Sequence, residues 1–260
     1  MKSDYCRQEV APYINCLYFD HAWGVSGKPE AERLQVRQEA EERLKRYADH
    51  YKTHAVFGLF CVHRHDDDIL FPQLLFPCLR QQQQGSDFLC LADFKAVEDD
   101  MIGVFATSGD VGMETDFDDD PYEKMMMQLL ADRLAEATAE WLHRDVRTTY
   151  WGYAKGEQLS MEELLTEQWQ GIRPAIGYPS LPDTSLNFLI DQLIDMRQIG
   201  IQLTETGAMK PHASVSGLMI SHPEARYFSI GKIGEDQLTD YAVRRGLDID
   251  ETRKYLQAIL

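Results

Sequence analysis

Apolar and polar positions alternate with different periods along the 260-residue chain, and the period predicts the elements. Tyr13 to Trp23 carries enough aromatic area to dock on a core and is closed by Gly24, Gly27 and Pro29. From Glu30 to about Lys52, strong helix formers carry apolar residues at Leu34, Ala40, Leu44, Tyr47 and Ala48, which predicts an amphipathic surface helix entered through Pro29. Residues 55–62 are β-branched and aromatic and predict a buried strand, with two more expected over Phe88–Phe94 and Met101–Ala106. Pro121 opens the longest predicted helix, to about Thr149. With Leu130 at zero and about 100° per residue, Leu134, Ala137 and Trp141 fall within about 40° of it, while Arg133, Glu136 and Glu140 occupy one flank at about 60–120°. Those charges are expected at the edge of the buried face.

Beyond this helix the pattern predicts a short helix over Met161–Trp169, an irregular segment over 171–183, and a helix over Leu186–Ile199. Two strands follow, Ala213–Ser221 and Arg226–Ile233, joined through His222–Ala225 in a hairpin-like connection. The end is helical: Glu235–Arg245 stopped by Gly246, then a last helix with Asp250 as N-cap. Strands and helices cluster instead of alternating, so the expected fold class is α+β, a mainly antiparallel twisted sheet flanked by long helices.

Charge narrows the function. The 43 acidic residues outnumber 26 Lys and Arg, a formal net charge of -17, which repels phosphate backbones and anionic lipid, so no nucleic acid and no membrane is expected as a partner. The densest basic group, Arg144, Arg147 and Lys155, is expected to be neutralised by Glu140, Asp145 and Glu157. No apolar run approaches the ~20 residues that span a bilayer, and the start lacks a signal pattern, so a cytoplasmic location is expected. Five cysteines without a CxxC pair read as free thiols, and His63 and His65 beside Asp66–Asp68 read as a polar strand end and not a metal set. GxGxxG, P-loop, GxSxG and HExxH motifs are absent.

The most unusual stretch is 171–183, where Pro174, Pro179 and Pro182 and two glycines surround Arg173. Proline lacks an N–H and fixes φ, so this segment cannot pair in the middle of a sheet and is expected to be a rigid extended loop. A preorganised loop loses little entropy on binding, and its arginine could grip a carboxylate with two parallel hydrogen bonds. Glu136 and Glu167 would supply the complementary acid for a ligand that also carries an ammonium. The competing reading is a proline-braced connector whose arginine pairs with an internal glutamate.

Eight motifs in one order carry a resemblance: Val56-Phe-Gly-Leu-Phe60, Leu79-Arg-Gln-Gln82, Cys90-Leu-Ala-Asp-Phe94, Leu130-Ala-Asp-Arg-Leu-Ala-Glu-Ala137, Tyr150-Trp-Gly-Tyr-Ala154, Gly171-Ile-Arg-Pro-Ala-Ile-Gly-Tyr-Pro179, Ala213-Ser-Val-Ser-Gly217 and Ser221-His-Pro223. Over residues 13 to about 245 the chain resembles the activation domain of cobalamin-dependent methionine synthase, which binds S-adenosyl-L-methionine (AdoMet). The resemblance implies one domain over 1–260 and a methyltransferase component in which AdoMet remethylates cobalamin oxidised to cob(II)alamin. The implied partners are cobalamin-binding methionine synthase modules, which carry the cobalamin, and flavodoxin or a similar reductase. Carried over by position, the AdoMet-binding residues would be Asn15, Glu136, Glu167, Arg173, Ala175, Gly177, Tyr178, Tyr227 and Phe228, with no catalytic residue and no metal ligand.

Departures from the family pattern also carry expectations. Asn15 stands where the family's early segment has an aspartate, and Asp20 could substitute for it. Lys210 and His212 replace the usual Trp and Gly. No DxHxxG cobalamin motif occurs, so the module is expected to act as a separate polypeptide that meets its cobalamin protein by association. A chain cut from a longer methionine synthase is the other reading of the same absence. Asn15 also motivates an alternative function, a non-catalytic docking module for a corrinoid protein or reductase without useful AdoMet binding.

Overall fold

The β-branched and aromatic run around Val56 forms the strand on which the sheet is built. In this computed structural model, which describes residues 1–5 and 7–260 and the side chains outside 3–8, β1 (Lys2–Tyr5) and β2 (Thr53–His65) pair antiparallel. The chain continues through β3 (Asp68–Leu70), β4 (Leu75–Pro77) and β5 (Asp100–Gly109). A separate two-stranded pair, β6 (Gln202–Leu203) and β7 (Met209–Lys210), precedes β8 (Ser214–Met219). The main sheet runs β4-β3-β2-β5-β8, every pair antiparallel, with β1 beside the first half of β2. Among the five cysteines, Cys6 lies outside the described residues; Cys16, Cys61, Cys78 and Cys90 are free thiols.

Helices α1 (Arg7–Val10), α2 (Cys16–Ala22), α3 (Glu30–Arg46) and α4 (Gly112–Thr115) precede the long α5 (Pro121–Asp145), which Asp120 caps through the backbone N–H of Tyr122 and Glu123. After it come α6 (Met161–Leu165), α7 (Asn187–Ile194), α8 (Glu235–Arg245) and α9 (Ile249–Leu256). Period-2 alternation sorts the strands between two cores. Ala55, Phe57, Phe105, Val215 and Met219 face α5 with Leu130, Leu134 and Leu142, whereas Val56, Ile102, Val104, Leu218 and Ile220 face α7 with Leu186 and Ile190. The α+β architecture is the expected one, and no helix among the described residues is long and apolar enough to cross a membrane.

Several local expectations are corrected. Phe88–Phe94 is not a strand: Leu91–Phe94 is a single 3-10 turn, because the Asp93 carboxylate accepts from the Cys90 N–H at 2.9 Å and folds the segment back on itself. Arg226–Ile233 forms no hairpin strand with β8. That edge of β8 is already taken by residues 172–176: Ile172 and Ile220 exchange two backbone hydrogen bonds at 2.9 Å, Leu218 N–H donates to Pro174 O at 3.0 Å, and Ile176 N–H donates to Ser216 O at 2.9 Å. The proline thus removes one donor from an edge ladder that otherwise keeps its register. Asp248, not Asp250, caps α9 by accepting from the Asp250 N–H. Helix α3 stops at Arg46, α5 at Asp145 with a π turn over Val146–Tyr150, and α6 at Leu165, all short of the predicted ends.

The close approach depends on Gly217. A Cβ there would lie 2.2 Å from Pro174 O and 2.9 Å from the Ala175 Cα. Gly217→Ala is therefore expected to push 172–176 off β8 and to cost roughly 2–3 kcal/mol of stability, read as a lower denaturation midpoint with an unchanged slope.

Candidate functional site

The ladder that fixes 172–176 also decides what faces α5. Ile172 and Ile176 point into the α7 core, and the alternate residues Arg173 and Ala175 point to the other side. There they border a cleft of about 660 Å³ between α5, the 172–180 segment, the start of α2 and residues 227–229. The outward N–H of Arg173, unused by the ladder, donates to the Tyr227 hydroxyl at 2.9 Å. Tyr227 and Phe228 are set by side chains instead of a strand: Ser180 donates to Phe228 O, Gln81 donates to Ser229 O at 2.7 Å, and Ile230 N–H donates to Pro179 O at 2.9 Å.

Eight of the nine expected residues meet on this cleft: Asn15, Glu136, Glu167, Arg173, Ala175, Tyr178, Tyr227 and Phe228. Gly177 does not line it; with φ 86° it turns the chain so that its N–H reaches Leu181 O at 2.7 Å. Val215 of β8 completes the strand wall. Arg173 Nη2 donates to Glu140 Oε2 at 3.1 Å, so the arginine both borders the cleft and pairs with an internal glutamate. Within the Arg144 group the ion pairs are those of Asp145 with Arg144 and Glu157 with Arg147, whereas the ion pair of Glu140 is with Arg173. Glu136 accepts from the Tyr178 hydroxyl at 2.5 Å. Asp20 is unavailable as a substitute for Asn15: it is buried in a two-bond pair with Arg37 at 2.8 and 2.6 Å. Asn15 itself caps α2, accepting from the Leu17 N–H at 3.0 Å.

Sequence reasoning placed Glu140 at the edge of the buried face but missed it as part of the site, although it lies one helical turn from Glu136 on the same flank. Arg133, Tyr13 and Tyr18 also border the cleft. Their signal was the helical flank for Arg133; for the tyrosines, none beyond aromatic content. Electrostatically the cleft is tense. Burial pushes the Glu140 carboxyl pKa up against the pull of Arg173 and Arg147. Burial opposes the charge of Arg173, but Glu140 and the neighbouring carboxylates outweigh it and raise its pKa. Burial also lifts the Tyr227 phenol to about 12 and raises Tyr178, so both hydroxyls stay protonated. Arg133 Nε, Glu140 Oε1 and Arg173 Nε are buried without a partner, which is the condition of polar atoms that a ligand or ordered water would satisfy.

Fold and site together define an α+β protein with a charged, small-molecule-sized cleft at a sheet edge. A family model described as "Vitamin B12 dependent methionine synthase, activation domain" matches residues 7–246. The chain is also similar to a solved structure described as the MetH reactivation domain bound to AdoHcy, at 36% identity and a TM-score of 0.94, covering 100% of this chain and 90% of that one. The chain belongs to the activation-domain family of vitamin B12-dependent methionine synthases.

Glu167, two residues beyond α6, has φ 59°, a left-handed conformation for a residue that is neither Gly nor Asn. Desolvation raises its carboxyl pKa, opposed by Arg173. The native state thus binds this proton more tightly than the unfolded chain, so ionised Glu167 lowers stability at neutral pH, and the loss disappears as pH falls below the ordinary value of about 4.3. Glu167→Gln is expected to raise Tm at about pH 7 and to lose that advantage near about pH 4, measured by thermal melts at both pH values.

Proposed function

We propose that this chain is a single activation domain that binds AdoMet in the cleft and presents its methyl group to cobalamin carried by a methionine synthase module. AdoMet would supply an activated methyl group, held here by Arg173, Glu136 and Glu167, and cobalamin on the partner module would be its acceptor, with a flavodoxin-like reductase supplying the electron that the reductive methylation of cob(II)alamin requires. Reactivation, as reductive methylation of cob(II)alamin to methylcobalamin, is the function, in a cytoplasmic setting where such a reductase operates.

The observation that carries this reading is two arginines, Arg133 and Arg173, and three carboxylates around a cleft of small-molecule size. Arg173, held by Glu140 through one nitrogen, keeps Nε and further N–H groups for the ligand carboxylate. Glu136 and Glu167 face the ammonium, and Tyr178 steadies Glu136 by donating to it. Phe105, Phe228 and the body of Tyr227 provide apolar wall for the remainder of the ligand. No residue has to move a proton in a sulfonium methyl transfer, so the protein's contribution is position and charge. The relative bound to AdoHcy supports the same assignment.

Asn15 favours one alternative, a docking module without useful AdoMet binding, because its amide presents a donor where the family offers a carboxylate. Titration calorimetry separates the two. Wild type is expected to bind AdoMet, and Arg173→Ala to weaken it by about 10- to 100-fold; a wild type that gives no heat with AdoMet leaves the docking reading standing.

A further inference from the structure

Arg173 is constrained from several directions. Its backbone is locked between β8 and the Tyr227 hydroxyl, its guanidinium carbon sits 5.9 Å from the Phe105 ring centroid, and its Nη2 meets Glu140 at 3.1 Å. Both charged side chains are only one-tenth exposed. Glu140 lies deeper than the other acids of the cleft: it is 8% exposed, whereas Glu136 is half-buried and Glu167 exposed. Behind it, two turns on and in the π turn that follows α5, stands the fully buried Arg147, paired with Glu157 at 2.7 Å and lying 4.7 Å from the Trp169 ring centroid. Glu140 is thus fixed between a structural cation and the cleft cation.

A free arginine side chain has many rotamers to lose on binding, and its planar fork recognises a carboxylate only when held in plane. We propose that Glu140 is a positioning residue: its carboxylate anchors one end of the Arg173 guanidinium so that Nε and the remaining N–H groups are aimed at the carboxylate of the amino-acid part of the ligand. This rests on the AdoMet reading of the cleft. Glu140 acts through Arg173, while the ammonium falls to Glu136 and Glu167, which lie nearer the opening.

Three ligands separate this role from direct contact and from mere structural support. AdoHcy carries both charged groups, its deaminated analogue keeps the carboxylate, and 5′-methylthioadenosine has neither. Glu140→Gln is expected to weaken AdoHcy and the deaminated analogue each by about tenfold and to leave 5′-methylthioadenosine within about twofold of wild type. The double variant with Arg173→Ala should bind AdoHcy no more weakly than Arg173→Ala alone. Equal losses on all three ligands, a loss on AdoHcy that vanishes for the deaminated analogue, or additive losses in the double variant would each overturn the proposal. Should Glu140→Gln fail to fold by circular dichroism, Glu140→Asp, which keeps the charge at shorter reach, must show the same ligand selectivity. If wild type binds none of the three, the cleft reading fails and this proposal with it. If wild type binds AdoHcy and Glu140→Gln is indistinguishable from it, the positioning role alone is lost.

Discussion

The antiparallel ladder between residues 172–176 and β8 governs most of what is distinctive here. It exists because Gly217 has no side chain to hold Pro174 away and because Gly171, at φ 86° with its would-be Cβ 2.2 Å from Ile220 O, can enter the ladder where another residue could not. Once formed, it occupies the β8 edge of the sheet and forbids a hairpin to the segment that follows β8. It also assigns faces. Ile172 and Ile176 complete the core beneath α7, and Arg173 is delivered to the opposite side, towards α5. A rigid backbone carrying one charged side chain out of a sheet edge gives a charge whose position is set by main-chain hydrogen bonds, and a binding site benefits from that rigidity.

Helix α5 answers this charge with a polar stripe of its own. Glu136, Glu140 and His143 follow one another at spacings of four and three, so they share one face, Arg147 follows in the π turn beyond the helix, and the last three are buried. Removing both Glu140 and Arg173 from water is costly, and their attraction at best offsets that cost, so the pair is better understood as a constraint on geometry than as a source of stability. His143 avoids adding a further cation. Burial, with Arg147 and Arg173 nearby, pushes its pKa well below the usual range and keeps the imidazole neutral. The Trp169 ring lies 5.5 Å from it, centroid to centroid, and also covers Arg147. The stripe therefore runs from acid at the cleft to cation in the interior, and the Arg173 and Arg147 charges favour the ionised form of Glu140 against the burial that raises its pKa.

Much of this could be read in the chain before any coordinates. The periods of β2, β5 and α5 were legible because long amphipathic or buried runs have few other solutions. The proline-rich segment was legible as rigid, and Arg173 as exceptional, because proline's missing donor restricts where it can sit. What could not be read was pairing. Phe88–Phe94 and Arg226–Ile233 are as apolar as strands, but the first is folded by a local Asp93 bond and the second finds its only sheet edge occupied. Partner choice among charges was equally hidden. Nothing in local spacing says that Glu140 reaches across to Arg173 while Asp20 turns away to Arg37, since both choices are made by tertiary contacts.

Asn15 shows how a fold role can mask a change of chemistry. Asn and Asp cap helices about equally well, so exchanging one for the other leaves α2 in place. The capping oxygen is committed to Leu17 in either case. The second atom of the group differs: a carboxylate would add an acceptor and a negative charge, and the amide adds a donor and none. Around the cleft stand Glu136, Glu140 and Glu167 against Arg133 and Arg173. Burial already raises the pKa values of Glu140 and Glu167, and for Glu140 the neighbouring carboxylates add to it, so a fourth carboxylate would add further repulsion there. With an amide in that place, no further negative charge is added beside the acids that remain, and they are more easily kept ionised at neutral pH.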